Sequence, residues 1–309
     1  MNPQTIGIVG MGLLGRGMAA CFLGRGFRVV VQSLGEGWRE QTRADIATAI
    51  DDLIAHGADA GLRKTWRDRY READSVAAMG ECDFMIESVA EDLVAKRMVL
   101  ELMESAVGPA VPIATNTSSM PVSLLQQGRR HPERIVGMHW APPCHVTKFL
   151  EVIRGDQTNE ATERKTLELA VAAGKEPSLV KKDIAGFIVN RLGYAMFREA
   201  FAMLEAGVAD VETIDRVFQQ VIGSWSTIAG PFRWMDLTGL PAYVEGMRQL
   251  FPTLSNTADV PAAMTKLVES GAKGIANGRG FYEYTPEQVR EWERRLRENA
   301  WRAGGASCG

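Results

Sequence analysis

The sequence predicts an α/β fold: a Rossmann-type doubly wound parallel sheet followed by an all-helical second domain. Three observations carry that prediction. A glycine-rich turn, "GMGLLG" at 10–15, joins an apolar β-prone run to a helical segment. Further short apolar runs alternate with helical patterns to about residue 183, as successive βα units do. Beyond Ile188 the strand signals stop and the pattern is helical almost throughout.

Along the chain, "TIGIV" at 5–9 reads as a strand ended by Gly10, and "LLGRGMAACFLGRG" as a helix stopping near Gly24 and Gly26. "FRVVVQS" at 27–33 is a second buried strand, which completes a βαβ unit of nucleotide-binding size. Residues 39–77 are rich in charge and read as helices outside the sheet. Strand candidates follow at 83–89, 112–117, 135–140 and 148–153, with helical patterns between them. "NEATERKTLELAVAAGKEP" is an amphipathic helix ending at Gly174, and "PSLVKKD" is the last strand. Turns at Gly207, Gly230–Pro231 and Gly239–Pro241 divide the helical part. The boundary is expected near 183–187, with a dinucleotide-binding domain over 1–185 and a helical domain over 186–309.

Composition narrows the function. Lys plus Arg total 35 against 38 acids, for a net charge of −3, and no basic block stands out, so no nucleic-acid partner is expected. No uninterrupted apolar run approaches a membrane span, and "TIGIVGMGLLG" has no basic leader, so neither a membrane segment nor a signal peptide is expected. Cys21, Cys82, Cys144 and Cys308 show no paired spacing, which points to reduced thiols and a cytoplasmic protein.

Chemistry is suggested at three places. In "GMGLLG", Gly10 permits the tight turn, Gly12 lets a pyrophosphate approach the backbone, and Gly15 lets the helix pack on the strand. The helix start then offers free N–H groups and its positive dipole end to phosphates. Alone the glycines mark only a turn; the flanking strands and helix make them a dinucleotide site. The usual acid about twenty residues on is missing, since Gln32 and Ser33 stand there, with Arg28 and Arg39 nearby. NAD is favoured over NADP. Second, Ser118 and Ser119 in "NTSSM" follow a strand that should end at the cofactor edge, although either could simply cap the next helix. Third, His139 and Glu151 lie twelve positions apart on two strand candidates. If those strands are neighbours, the carboxylate fixes the imidazole tautomer and frees the other nitrogen for proton transfer. A polar strand end is the bland alternative. His131 and His145 fall in loops and are expected to face solvent, and nothing near Cys144 looks designed to ionise it.

These pieces occur in the order found in the L-3-hydroxyacyl-CoA dehydrogenase family, which the chain resembles to about Tyr284. The matching segments are "GIVGMGLLGRGMA", "ESVAEDLVAK", "NTSS", "MHW" with its downstream "EV", "GFIVNR", "GPF" and "GRGFYEY". The resemblance implies His139 as general acid/base with Glu151 as its partner, and Ser118 and Asn190 as holders of the reacting oxygen. It implies NAD bound by Gly10, Met11, Gly12, Leu13, Leu14, Gly15, Ser33, Glu91, Lys96 and Asn116, with Glu91 and Lys96 on the nicotinamide side. It also implies a homodimer through the helical domain.

Departures bear on substrate. The family's common "HFFNP" is here "HWAPP", so Pro142 replaces an amide beside the substrate, and Ala185 replaces a proline before "GF". The segment 39–77 looks shorter than in the coenzyme A enzymes, and a charged helix from Pro286 onward extends beyond the usual end as a solvated or packing element. These features favour a smaller, free molecule; within the family, the resemblance implies a compact carboxylated substrate, with a pyridine aldehyde as leading candidate. Its carboxylate would meet Arg198, Arg233 or Lys148, among which the sequence does not choose. A 3-hydroxyacyl-CoA or a free hydroxy acid such as carnitine or a sugar acid is the alternative. A non-catalytic nucleotide-binding protein is the alternative of another class.

Overall fold

The computed structural model describes residues 4–34 and 37–304, so Cys308 lies outside the described residues. Eight strands form one sheet: β1 (Thr5–Val9), β2 (Arg28–Gln32), β3 (Tyr70–Glu72), β4 (Phe84–Glu87), β5 (Ile113–Thr115), β6 (Ile135–Trp140), β7 (Phe149–Ile153) and β8 (Glu176–Val180). Their order is β3-β2-β1-β4-β5-β6-β7-β8, and every neighbouring pair is parallel except β6 with β7. The central strands are buried on both faces, as parallel strands covered by helices must be. Ile6, Ile8, Val29 and Val31 pack into one core with Phe22 and Trp140, whereas Val9, Val30 and Met85 pack into the other with Leu100 and Met103. Period-two alternation thus feeds both layers.

Helices α1 (Leu13–Gly24), α2 (Trp38–Ala55), α3 (Leu62–Thr65), α4 (Leu93–Ala106), α5 (Val122–Gln126) and α6 (Glu160–Ala172) accompany the sheet. Asp92 caps α4 by accepting the Ala95 N–H at 2.8 Å, and Asn159 caps α6 through Thr162 at the same distance. Segment 39–77 is not wholly helical. Its last part supplies β3, a three-residue edge strand whose sequence, "YRE", carries no apolar run. The antiparallel β7 follows from chain length: 141–148 is too short for the crossover that a parallel neighbour needs.

The rest is helical: α7 (Val189–Glu205), α8 (Val211–Val217), α9 (Gly223–Ser226), α10 (Pro231–Thr238), α11 (Leu240–Leu250), α12 (Ala262–Glu269) and α13 (Pro286–Gly304). The chain divides into two compact units. One runs to Asn190 and takes back the chain from Arg297; the other is Arg191–Leu296. Only Ala229 and Ala272 are buried in the second unit. No helix among the described residues is long and apolar enough to cross a membrane.

Candidate active site

The site lies in the first unit, at the carboxyl ends of β1, β4, β5 and β6. Gly10 has φ of 102°, and a Cβ there would stand 2.4 Å from the Ser88 carbonyl oxygen. Only glycine fits. A Cβ at Gly15 would lie 2.0 Å from the Gly10 oxygen, so the third glycine lets α1 close on the turn. Gly12 has nothing within 4 Å of its Cβ position and starts α1 without a side-chain cap. The middle glycine therefore opens the backbone, and the free N–H groups of the first turn, to a pyrophosphate. Met11 is buried and donates its N–H to Ser33 Oγ at 3.3 Å, Leu14 is half-buried, and Leu13 is exposed. Residues 10–15 and Ser33 thus form one cradle that fits a dinucleotide.

No carboxylate stands at position 33, and the arginines nearby are not placed to replace it. Arg28 begins β2, at the opposite end from Ser33. Arg39 is bound to Asp74 at 2.7 Å and Glu72 at 3.4 Å. Beside Ser33, the buried Gln32 side chain has an Oε1 without a partner among the described residues.

His139 and Glu151 are direct partners across β6 and β7. His139 Nδ1 meets Glu151 Oε2 at 2.9 Å, and both side chains are nearly enclosed. The other carboxylate oxygen accepts the N–H groups of Ile188 and Val189 at 2.9 and 3.0 Å, where α7 starts. Gly186 (φ 76°) and Phe187 (φ 51°) are both left-handed and turn the chain onto that carboxylate. Phe187 also packs on the imidazole, with centroids 5.7 Å apart, and Phe149 meets it edge-on at 5.9 Å. Burial pushes the Glu151 carboxyl up, but the hydrogen bonds from His139, Val189 and Ile188 outweigh it and hold the carboxyl below the usual range. An ionised Glu151 makes Nδ1 the protonated nitrogen, so Nε2 keeps its lone pair.

Ser118 sits in the turn after β5. Its N–H, together with the N–H and hydroxyl of Ser119 and the Thr117 hydroxyl, donates to Glu91 Oε1 at 2.5–3.1 Å. Neither serine caps α5; Asp183 instead accepts from Ser123 N–H and Oγ, each at 2.6 Å. Asn190, in the first turn of α7, donates its amide to the Ser118 carbonyl at 2.6 Å, and the Ser118 hydroxyl has no partner among the described residues. Burial raises the Glu91 carboxyl, but the Thr117 hydrogen bond, the Lys96 charge and the Ser119 hydrogen bonds bring it down to about 2. Lys96 Nζ bridges Glu91 at 3.2 Å and Glu87 at 2.9 Å, and its side chain is only 1% exposed. Asn116 accepts from Trp140 N–H at 2.9 Å and donates to Ser88 at 3.2 Å, tying the end of β6 to the cradle wall.

Sequence reasoning passes over Glu87, Thr117 and Asp183. Glu87 had a signal: an acid closing an otherwise apolar strand. His145 does not face solvent, unlike His131; it meets Asp52 at 2.9 Å and is mostly buried. Burial pushes the Cys144 thiol up to about 12, the reverse of what a nucleophile needs. Among the substrate-side cations, Lys148 is paired with Glu176, while Arg198 and Arg233 are exposed residues of the helical unit.

The NAD-binding domain model of 3-hydroxyacyl-CoA dehydrogenase matches residues 5–184, and the C-terminal domain model matches 186–284. The chain belongs to the 3-hydroxyacyl-CoA dehydrogenase family. Like its relatives, this family member is an NAD-dependent oxidoreductase. The 5-formyl-3-hydroxy-2-methylpyridine 4-carboxylate 5-dehydrogenase of Mesorhizobium japonicum is 34% identical over 288 residues, covering 93% of each chain. A probable 3-hydroxybutyryl-CoA dehydrogenase of Deinococcus radiodurans is 29% identical, over 91% of this chain and 100% of its own. The crystal structure of a 5-formyl-3-hydroxy-2-methylpyridine 4-carboxylic acid 5-dehydrogenase, described as an NAD+ dependent dismutase, superposes with a TM-score of 0.89 at 32% identity, covering 97% of both chains. The (S)-3-hydroxybutyryl-CoA dehydrogenase of Ralstonia eutropha superposes at 0.76 with 30% identity, over 92% of this chain and 99% of its own.

Proposed function

We propose that the protein oxidises a compact carboxylated aldehyde, with 5-formyl-3-hydroxy-2-methylpyridine-4-carboxylate as the leading substrate and the dicarboxylate as product. What carries this reading is likeness over almost the whole chain to enzymes of that name. Catalysis rests on His139, Glu151, Ser118 and Asn190. The cradle of Gly10–Gly15 and Ser33 holds the dinucleotide, with Asn116 and Glu91 bordering it. NAD, when bound there, supplies the hydride-accepting ring.

A hydrated aldehyde carries a hydroxyl on the carbon that loses hydride, so it reacts as an alcohol does. His139 Nε2 removes the hydroxyl proton, and Glu151 keeps the proton on Nδ1 and stabilises the imidazolium that forms. The free Ser118 hydroxyl and the Asn190 amide hold the reacting oxygen. With the hydroxyl proton on Nε2 and the oxygen so held, the carbon is poised to give up its hydride, and a nicotinamide held in the cradle would take it and leave the carboxylic acid. No thiol is needed.

We further propose a homodimer built through residues 186–309, since the helical unit buries almost nothing by itself. Free, buried Cys21, Cys82 and Cys144 support a cytoplasmic location. A substrate panel tests the main reading: the pyridine aldehyde, free hydroxy acids and 3-hydroxybutyryl-CoA, each with NAD and NADP. The aldehyde with NAD is expected to give the highest kcat/KM, and His139→Ala to lose at least about a hundredfold. Preference for the thioester, which the 3-hydroxybutyryl-CoA dehydrogenase relatives favour as second reading, would overturn the substrate; an unchanged His139→Ala rate would overturn the mechanism.

A further inference from the structure

We infer that Lys175 is a positioning residue for the substrate: its buried ammonium clamps the 141–147 turn and so sets the wall beside His139. The inference rests on the reading given above, in which the reacting molecule lies against His139.

Lys175 follows α6 and stands just before β8. Its N–H donates to the Ala170 carbonyl at 3.0 Å, which fixes the root of the side chain. The residue is only 5% exposed, yet it makes no ion pair among the described residues. An ammonium without a close counter-charge is costly in the interior, so something else must repay its burial. Nζ donates instead to the backbone carbonyls of Cys144 and Thr147, the second at 2.5 Å. It also lies 5.0 Å from the centre of the Trp140 ring. Carbonyl dipoles and an aromatic face thus stand where a carboxylate would be expected.

The 141–148 connection needs such a donor. Pro142 and Pro143 bring no N–H to it, and it has no neighbouring strand to pair with. The Pro143 carbonyl accepts the N–H groups of Val146 and Thr147, each at 3.0 Å. For the Cys144 and Thr147 carbonyls, Lys175 is the only partner among the described residues. Bonds from a charged donor are the stronger kind, and two of them close the turn from one side. On the other side Cys144 presses on α1, where a Cβ at Gly17 would stand 3.1 Å from its Sγ. Thr147 passes the hold onward by donating its hydroxyl to the Ala141 carbonyl at 3.0 Å. Ala141 and Pro142 leave β6 directly after His139 and Trp140, at the carboxyl edge where the site lies. The clamp therefore reaches the substrate wall through one hydrogen bond.

Full-length K175M, T147V and the double K175M/T147V test the clamp. Each is measured for kcat and KM on the best panel substrate, for NADH dissociation constant by fluorescence titration, for Tm, and for hydrogen exchange over 141–148. K175M is expected to raise KM about tenfold or more and to speed exchange of 141–148 selectively. Its kcat and NADH affinity should stay within about threefold, because His139, Glu151 and the cradle are untouched. T147V cuts only the link to Ala141, so KM should rise in the same way with a smaller loss of Tm. Acting along one route, the two changes together should raise KM no more than about threefold beyond K175M alone. KM within about twofold of wild type in both single variants would overturn the inference, and so would effects that multiply in the double. A lysine that only stabilises the fold would lower Tm and speed exchange throughout the sheet with KM unchanged, which also overturns it. If K175M fails to fold, T147V decides by its KM. If wild type turns over no panel substrate, the substrate reading fails on its own. Exchange then decides the clamp: faster over 141–148 alone supports it, and uniformly faster across the sheet overturns it.

Discussion

One carboxylate at position 151 serves an imidazole on one oxygen and two helix-start amides on the other, so the orientation of His139 is tied to where α7 begins. A glutamine there cannot satisfy both sides as an acceptor, and it removes the charge that favours the imidazolium. Glu151→Gln should lower kcat about a hundredfold or more while NADH affinity holds, as steady-state kinetics beside fluorescence titration will report. Glu91 makes a prediction about stability. Its folded carboxyl titrates at about 2 against an ordinary 4.5, so its stabilisation is complete above about pH 4.5 and is lost as pH falls towards 2. Glu91→Gln should therefore show a shallower fall of Tm than wild type across that acid interval. Residues of this kind were unevenly legible. His139 and Glu151 could be proposed because cross-strand partners leave a spacing in the chain. The Glu87–Lys96 ion pair was only half legible: an acid closing an apolar strand marks Glu87 and the resemblance marks Lys96, but nothing in the chain says that they meet each other.

At the scale of elements, α13 shows what pattern alone conceals. The family's C-terminal domain model ends at 284, and the helix beyond it reads as a charged rod. Yet its end returns to the first unit. There Trp301 stacks on His56 with centroids 3.8 Å apart and donates to Asp52 at 3.2 Å, while Asp52 also holds His145 of the 141–148 connection. At Gly304 a Cβ would come within 2.9 Å of the Val146 carbonyl oxygen, so the same connection is gripped twice. That connection joins His139 to Glu151. Trp301→Ala should cost about 2–3 kcal/mol, below the range for a fully buried large aromatic because the indole is only partly buried, and Trp301→Phe should regain part by keeping the stack. Thermal unfolding of both variants measures it, and an unchanged Tm in Trp301→Ala would make the helix end a passive cover. The first βαβ unit was legible because glycine punctuation and apolar runs are local signals. The edge strand β3 was not, since three polar residues pair only because β2 offers them a template.

For the whole molecule, the two units differ in what holds them together. The sheet unit has cores on both faces, whereas Arg191–Leu296 buries only two alanines and leaves Tyr194, Ile228 and Phe232 at 69%, 78% and 80% exposure. A helical unit of that length gains little from burial to set against its conformational entropy, and this is the ground for the homodimer proposed above. A second copy supplies identical faces, and a two-fold pairing covers both at once. The alternation of strands and helices made the first unit readable as a fold from its pattern. In the second unit amphipathic stripes announce helices but do not say whether the apolar side meets the same chain or another. If the helical unit is completed by its partner, folding and association are one equilibrium. The protein should then sediment at twice the chain mass, and its unfolding midpoint should rise with protein concentration. Aspartate at both Ile228 and Phe232 should shift the sedimenting species towards monomer and lower that midpoint. A monomer with a concentration-independent midpoint would mean that the helical unit is stable by itself, and the burial seen here would then have no physical explanation.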